Sequence, residues 1–223
     1  MVNRRYFLRL AAAGTAYPAF NNFGRPWLQV DIKDFVLTEE ALRIHRSAIV
    51  VDGHNDLLYK IRLKGSSALE TLDLMTNQPE FQTDIPRLLK GGIGAQFWVA
   101  VGWKGKKGNG RSGPSYCLEE IELIHRMVNK YYDVLEMAYS SDDILQIRQK
   151  CKIASLIGME GGKAIENTLG VLDAYYRLGA RYMTLTLSDT IDWVDSATDV
   201  ARHGGITEFG EQVVLEMNRL GII

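Results

Sequence analysis

At 223 residues, 46% of them hydrophobic and 24% charged, the chain has the composition of an ordinary globular protein, which excludes a largely disordered one. Lysine and arginine (26) nearly balance aspartate and glutamate (27), for a formal charge of −1. That balance gives no electrostatic reason to expect nucleic acid or an anionic membrane surface as a partner.

The chain opens on Asn3-Arg4-Arg5-Tyr6-Phe7-Leu8-Arg9, followed by the weakly apolar Leu10-Ala11-Ala12-Ala13-Gly14-Thr15-Ala16. Paired arginines, an aromatic, a leucine and then small residues resemble a twin-arginine export signal, with Ala16 to Ala19 offering a cleavage site. The stretch is shorter than the ~20 residues a membrane span needs. No cysteine follows it, so no lipid anchor is expected. A basic surface helix is the alternative reading. Residues 1–34 are thus read as export signal and linker, which predicts a periplasmic or extracellular protein.

From residue 35 an alternation of strands and helices begins. Ile49 to Asp52, Gly94 to Val101, Ile153 to Met159 and Tyr182 to Leu187 are short, nearly continuous apolar runs. Such runs suit parallel strands covered on both faces. Between them, Ile121, Ile124, Val128 and Tyr131 recur at helical spacing, as do Ile165, Leu169, Leu172 and Tyr176. Gly179 stands where a left-handed helix cap would be. Phe209, Val213, Met217 and Leu220 form a third stripe, with Thr207 as N-cap and Gly221 as stop. The closing Ile222-Ile223 begins as the earlier strands do. The expectation is an α/β protein with a mainly parallel sheet, either about half of an eight-stranded barrel or an open doubly wound sheet. Cys117 and Cys151 lie far apart in no metal-type spacing. Cys151 opens an apolar run, so a buried free thiol is expected there rather than a disulfide.

Two places carry chemistry. The first strand runs into Asp52-Gly53-His54-Asn55-Asp56, where residues two apart project together, so Asp52, His54 and Asp56 can present an imidazole and carboxylates to one divalent ion. The third run ends at Glu160, followed by Gly161-Gly162 and a helix. A glutamate at a strand's carboxyl end belongs to the ligand face of a βα architecture, and the glycines permit close backbone approach or unusual dihedrals there. The basic, glycine-rich segment from Lys104 to Arg111 does not match phosphate-loop spacing and reads as a solvated loop. His45 and His125 read as surface residues.

Taken with Thr83-Asp84-Ile85-Pro86-Arg87-Leu88, Gly91 to Trp98, Gly158-Met159-Glu160-Gly161-Gly162, Leu178 to Thr186 and Phe209 to Gly221, the Val51-Asp52-Gly53-His54-Asn55-Asp56-Leu57 segment resembles the membrane (renal) dipeptidase family of zinc metallopeptidases, in matching order and spacing from about Leu37 onward. The resemblance implies a (β/α)8 barrel, of which residues 35–223 would be the N-terminal part, and zinc-dependent hydrolysis of a dipeptide substrate. It implies that His54 and Asp56 bind one zinc and that the catalytic Glu160 bridges two. Two metals a few ångströms apart would activate a water and polarise the scissile carbonyl.

Two departures bear on this. The family's further histidines and a later aspartate would fall beyond Ile223, so an incomplete site holding at most one Zn2+ is expected. Leu187 stands where many members carry a substrate-contacting histidine. His203 in the next loop could compensate, though a solvent-exposed loop histidine is the plainer reading. Trp193 and Asp195 are placed near the pocket by the same resemblance. Another metal-dependent barrel amidohydrolase, or a non-catalytic exported binding module, remain alternatives. Substrate preference and homodimerisation stay open.

Overall fold

Five parallel strands form one sheet: β1 (Val50–Asn55), β2 (Ile93–Val101), β3 (Leu135–Met137), β4 (Ile153–Glu160) and β5 (Ala180–Met183). The computed structural model describes residues 37–65, 68–102 and 113–223. The export-signal reading (1–34) and the basic loop from Lys104 to Arg111 lie outside the described residues. The chain divides into two compact units, Met1–Ala41 and Leu42–Ile223. The described part of the first is the start of helix α1 (Glu39–Ser47), where the Thr38 hydroxyl accepts the Ala41 N–H at 3.1 Å.

Within the second unit, β2 pairs β1 on one side and β4 on the other. β3 and β5 share the far side of β4: β3 runs beside Ile153 to Ser155 and β5 beside Ile157 to Met159. Helices α2 (Leu57–Leu63), α3 (Ala68–Thr71), α4 (Ile85–Lys90), α5 (Gly113–Lys130), α6 (Ser141–Gln149), α7 (Leu169–Arg177) and α8 (Glu208–Leu220) separate or follow the strands. Strand–helix alternation with every pairing parallel gives a partial (β/α) barrel, as expected from the sequence.

Both faces of the central strands are covered. Trp98, Ala100, Ile157 and Met159 face the main core, with Leu58 and Ile61 of α2, Ile121 and Ile124 of α5, Leu172 of α7 and Val213 of α8. On the opposite face, Ala95, Ala154 and Leu156 meet Ile147 of α6, with Phe97 and Ile144 at the margin. Farther along that second face β4 presents Gly158 and then Glu160, so the helix covers the sheet's lower end and leaves the carboxyl end open to carry a site. Each large aliphatic side chain sequestered in these layers contributes roughly 1.5–3 kcal/mol. One ion pair is built into the main core. The Glu120 carboxylate, fully buried on α5, accepts the Val101 N–H at 2.6 Å and pairs with the Arg62 guanidinium. It thereby fastens α2 and α5 to the end of β2.

The third helical stripe is realised over Glu208–Leu220, with the Thr207 hydroxyl accepting the Gly210 N–H and Gly221 left-handed at φ 79°. Beyond it, Ile223 exchanges hydrogen bonds with Arg181 and Met183, lying along β5 as a strand would.

Three expectations are corrected, and one strand was not foreseen. β3 carries no apolar run; it is three residues long, and Glu136 in its middle turns outward to Lys150 and Lys152. The fourth strand begins earlier and ends at Met183, because Gly161 turns the end of β4 and residues after Thr184 follow the turn. Ile165 closes a separate 3-10 turn (Gly162–Ile165), divided from α7 by left-handed Glu166 and Asn167. The buried thiol is Cys117, whereas Cys151 is exposed in a left-handed turn (φ 59°) before β4; both are free.

Candidate metal centre

β1 ends with a break in its register with β2 between Asp52 and Asn55, and this irregularity decides which side chains reach the site. Asp52 does not join His54 and Asp56 as simple alternation predicts. Its Oδ1 accepts the His54 N–H at 3.1 Å, so the carboxylate folds back on its own loop. His54 and Asp56 are carried on into the opening.

The loop between them is fixed by side-chain hydrogen bonds. Asn55 Oδ1 accepts the Leu57 N–H (3.1 Å), while its Nδ2 donates to Thr83 Oγ1 (3.0 Å) and Gln96 Oε1 (3.3 Å). Gln96, fully buried on β2, donates in turn to the carbonyls of Asp52 (3.3 Å) and Phe97 (3.2 Å). Asp84 caps α4 through the Arg87 N–H (2.9 Å) and accepts from the Arg87 guanidinium (2.7 Å), which steadies the segment that supplies Thr83.

Glu160 arrives from the end of β4. Behind it, Gly161 adopts φ 98°, a conformation that suits glycine, and its N–H donates to Thr184 Oγ1 (2.8 Å). A side chain on Gly162 would collide with the Leu185 carbonyl and the Trp193 ring, each 2.5 Å from the position of its Cβ. Both roles foreseen for the glycine pair are therefore present.

Among the described residues, His54, Asp56 and Glu160 form one group whose ligand-type atoms all lie within 4.8 Å of one another. His54 Nε2 stands 3.5 Å from Asp56 Oδ1 and 3.8 Å from Glu160 Oε2. Burial pushes the Glu160 carboxyl above its ordinary range; the His54 imidazole opposes that rise and the neighbouring Asp56 carboxylate adds to it. Among the described residues, Asp56 Oδ1 is buried without a hydrogen-bond donor. Two crowded carboxylates, one with an orphaned oxygen, beside an imidazole nitrogen are the donor set a divalent cation satisfies.

At the Gly161 turn lies a cavity of ≈ 80 Å³ lined by Gly102, Gly161, Gly162, Leu187 and Ile191, among others. Leu187 is therefore at the cavity wall, where it contributes apolar surface. Trp193 is buried behind Gly162, and Asp195 organises its own loop by accepting the N–H groups of Arg202, His203 and Gly205. His203 is half-buried rather than solvent-exposed, its Nε2 turned to the Ile191 carbonyl at 2.9 Å. Missed by the sequence reading were Asn55, Gln96 and Tyr182, whose hydroxyl meets His54 Nδ1. A glutamine within an apolar strand was the available signal for Gln96.

The family model for membrane dipeptidase (peptidase family M19) matches residues 38–223. Dipeptidase 3 of Mus musculus is 40% identical over 192 residues, a match covering 84% of this chain and 38% of the relative. The chain thus spans well under half the length of that relative. Among solved structures, the probable dipeptidase PvdM from Pseudomonas aeruginosa superposes with a TM-score of 0.71 at 19% identity, covering 82% of this chain and 48% of the other. The metallo peptidase from Rhodobacter sphaeroides, liganded with a phosphinate mimic of the dipeptide L-Ala-D-Ala, gives 0.64 at 18% identity, covering 79% and 57%. A match that runs from residue 38 to residue 223 settles the family: the chain belongs to the membrane dipeptidase family, peptidase family M19.

Proposed function

We propose that the protein takes part in zinc-dependent hydrolysis of dipeptides, with His54, Asp56 and Glu160 as the residues that would hold zinc. The observation that carries this reading is the convergence of three ligand-type side chains, from the ends of two strands, around a buried carboxylate oxygen that has no donor among the described residues. Family membership and the dipeptide mimic bound to the Rhodobacter sphaeroides metallo peptidase support a two-residue substrate. Zinc, when bound, lowers the pKa of water and polarises a carbonyl. The chain's own part is to hold the donors in place. Asn55 and Gln96 lock the His54–Asp56 loop, and the Gly161 turn aims Glu160 into the opening. The cavity walled by Leu187 and Ile191, at the Gly161 turn, offers an apolar surface for a substrate side chain.

The test is zinc titration and dipeptide cleavage by the purified protein and its His54→Ala variant. The reading expects zinc binding that His54→Ala abolishes, and requires that a chelator stop whatever cleavage is observed; chelator-resistant cleavage would overturn it. Leu187, standing where the resemblance places a histidine, favours a second reading as a ligand-binding protein without turnover. Dipeptide binding that persists unchanged in His54→Ala and in the presence of a chelator would select it. The twin-arginine pattern at Arg4-Arg5 supports export in the folded state. Replacing both with lysine should retain the protein in the cytoplasm, and unchanged delivery would refute export by that route.

A further inference from the structure

Tyr182 projects from β5 over the carboxyl end of the sheet, and three features fix its ring. It lies on the bare backbone of its register partner Gly158, where a Cβ would stand 2.1 Å from Tyr182 Cζ. Phe97 of β2 closes on it with ring centroids 5.0 Å apart and planes tilted by 45°. The His54 ring runs nearly parallel to it, 19° between planes and 6.5 Å between centroids. So placed, the Tyr182 hydroxyl sits 3.1 Å from His54 Nδ1.

The two nitrogens of His54 therefore face different partners. Nδ1 meets the phenol, whereas Nε2 is the atom facing Asp56 and Glu160. A neutral imidazole carries one proton, and the nitrogen without it is the one that can ligate a metal. If the phenol donates to Nδ1, the proton sits on Nε2 and the ligand position is blocked. If the phenol oxygen accepts from Nδ1–H, the Nε2 lone pair is free.

We propose that Tyr182 is a positioning residue for the cation site, its phenol oxygen accepting from His54 Nδ1–H when a metal is bound and so holding the tautomer and ring plane that present Nε2. The inference rests on His54 being a metal ligand. Gly158 belongs to the same device, because any side chain there evicts the ring from its seat. The partner that orients a metal-bound histidine through its second nitrogen commonly governs affinity by 10–100-fold.

The experiment is zinc titration of the purified protein with His54 observed by 15N NMR, comparing wild type, Tyr182→Phe, Gly158→Ala and His54→Ala. Tyr182→Phe keeps the ring on Gly158 and Phe97 but removes the oxygen. It should weaken zinc binding about 10–100-fold at unchanged stoichiometry, and His54 should lose the Nδ1–H signature of the zinc-bound wild type. Gly158→Ala retains the oxygen but displaces it, and should reproduce both effects. It serves as the deciding variant if Tyr182→Phe fails to fold. Wild-type affinity and an unchanged His54 signature in either folded variant would overturn the positioning role. Undiminished zinc binding by His54→Ala would instead remove the metal reading beneath it, so the two failures are told apart.

Discussion

β4 and β1 lie one strand apart and are built on opposite plans. β4 is buried from Ile153 through Met159, packed on both faces, and becomes partly accessible at Glu160. In β1, Val51, Gly53 and His54 are exposed and the register with β2 breaks twice. β4 is held by packing. β1 is held at its functional end by polar side chains: Asn55 and Gln96 on the loop, Tyr182 on the imidazole. The two strands that supply the ligand-type residues thus separate rigidity from reach. One anchors Glu160 in a core that tolerates little change; the other carries His54 and Asp56 on a segment whose geometry is set by hydrogen bonds.

That contrast can be broken most forcefully at Ile157. It is fully buried in the main core, so Ile157→Ala leaves a cavity and should cost ~2–5 kcal/mol in chemical denaturation. A loss below ~1 kcal/mol would mean that packing does not hold β4.

A smaller effect is expected where a charge lies inside that packing. Burial raises the Glu120 carboxyl from 4.5 to about 6, although the Val101 N–H and Arg62 pull it down. The folded state then holds this proton more tightly than the unfolded chain. The group's contribution to stability is full below about 4.5 and is lost as pH rises through about 6. Denaturation midpoints measured across that interval should fall with rising pH from this group, and Glu120→Gln should flatten the slope. A slope identical in wild type and variant would count against it.

The smallest change in folding is expected at His54 itself. Its side chain is 42% exposed and packs into no core, so His54→Ala without metal should shift stability by no more than ~0.5 kcal/mol. A loss comparable to that at Ile157 would erase the distinction between anchored and hydrogen-bonded strands.

The same distinction explains what the sequence revealed. β2, β4 and the stripe of α8 were legible because their side chains repeat a packing environment every two or three to four residues. Glu160 stood out as a charge ending an apolar run, and His54 and Asp56 as a pair beyond a β-branched one. β3 was invisible, since three residues centred on Glu136 leave no pattern. Asp52 was misplaced because alternation cannot register a break in pairing. Tyr182 read as one more apolar strand position. Its contact with His54 joins residues 128 apart, and no local rule reports it.

Glycine at 158 has a geometric consequence for the whole concave face. β1 and β5 are separated by β2 and β4, three inter-strand steps or about 14 Å on a flat sheet. Two side chains nonetheless close that gap with a hydrogen bond, because one of them lies directly on the backbone between. The contact thus ties the first strand of the sheet to the last across two others, and Gly158 leaves the room over which the Tyr182 ring reaches it.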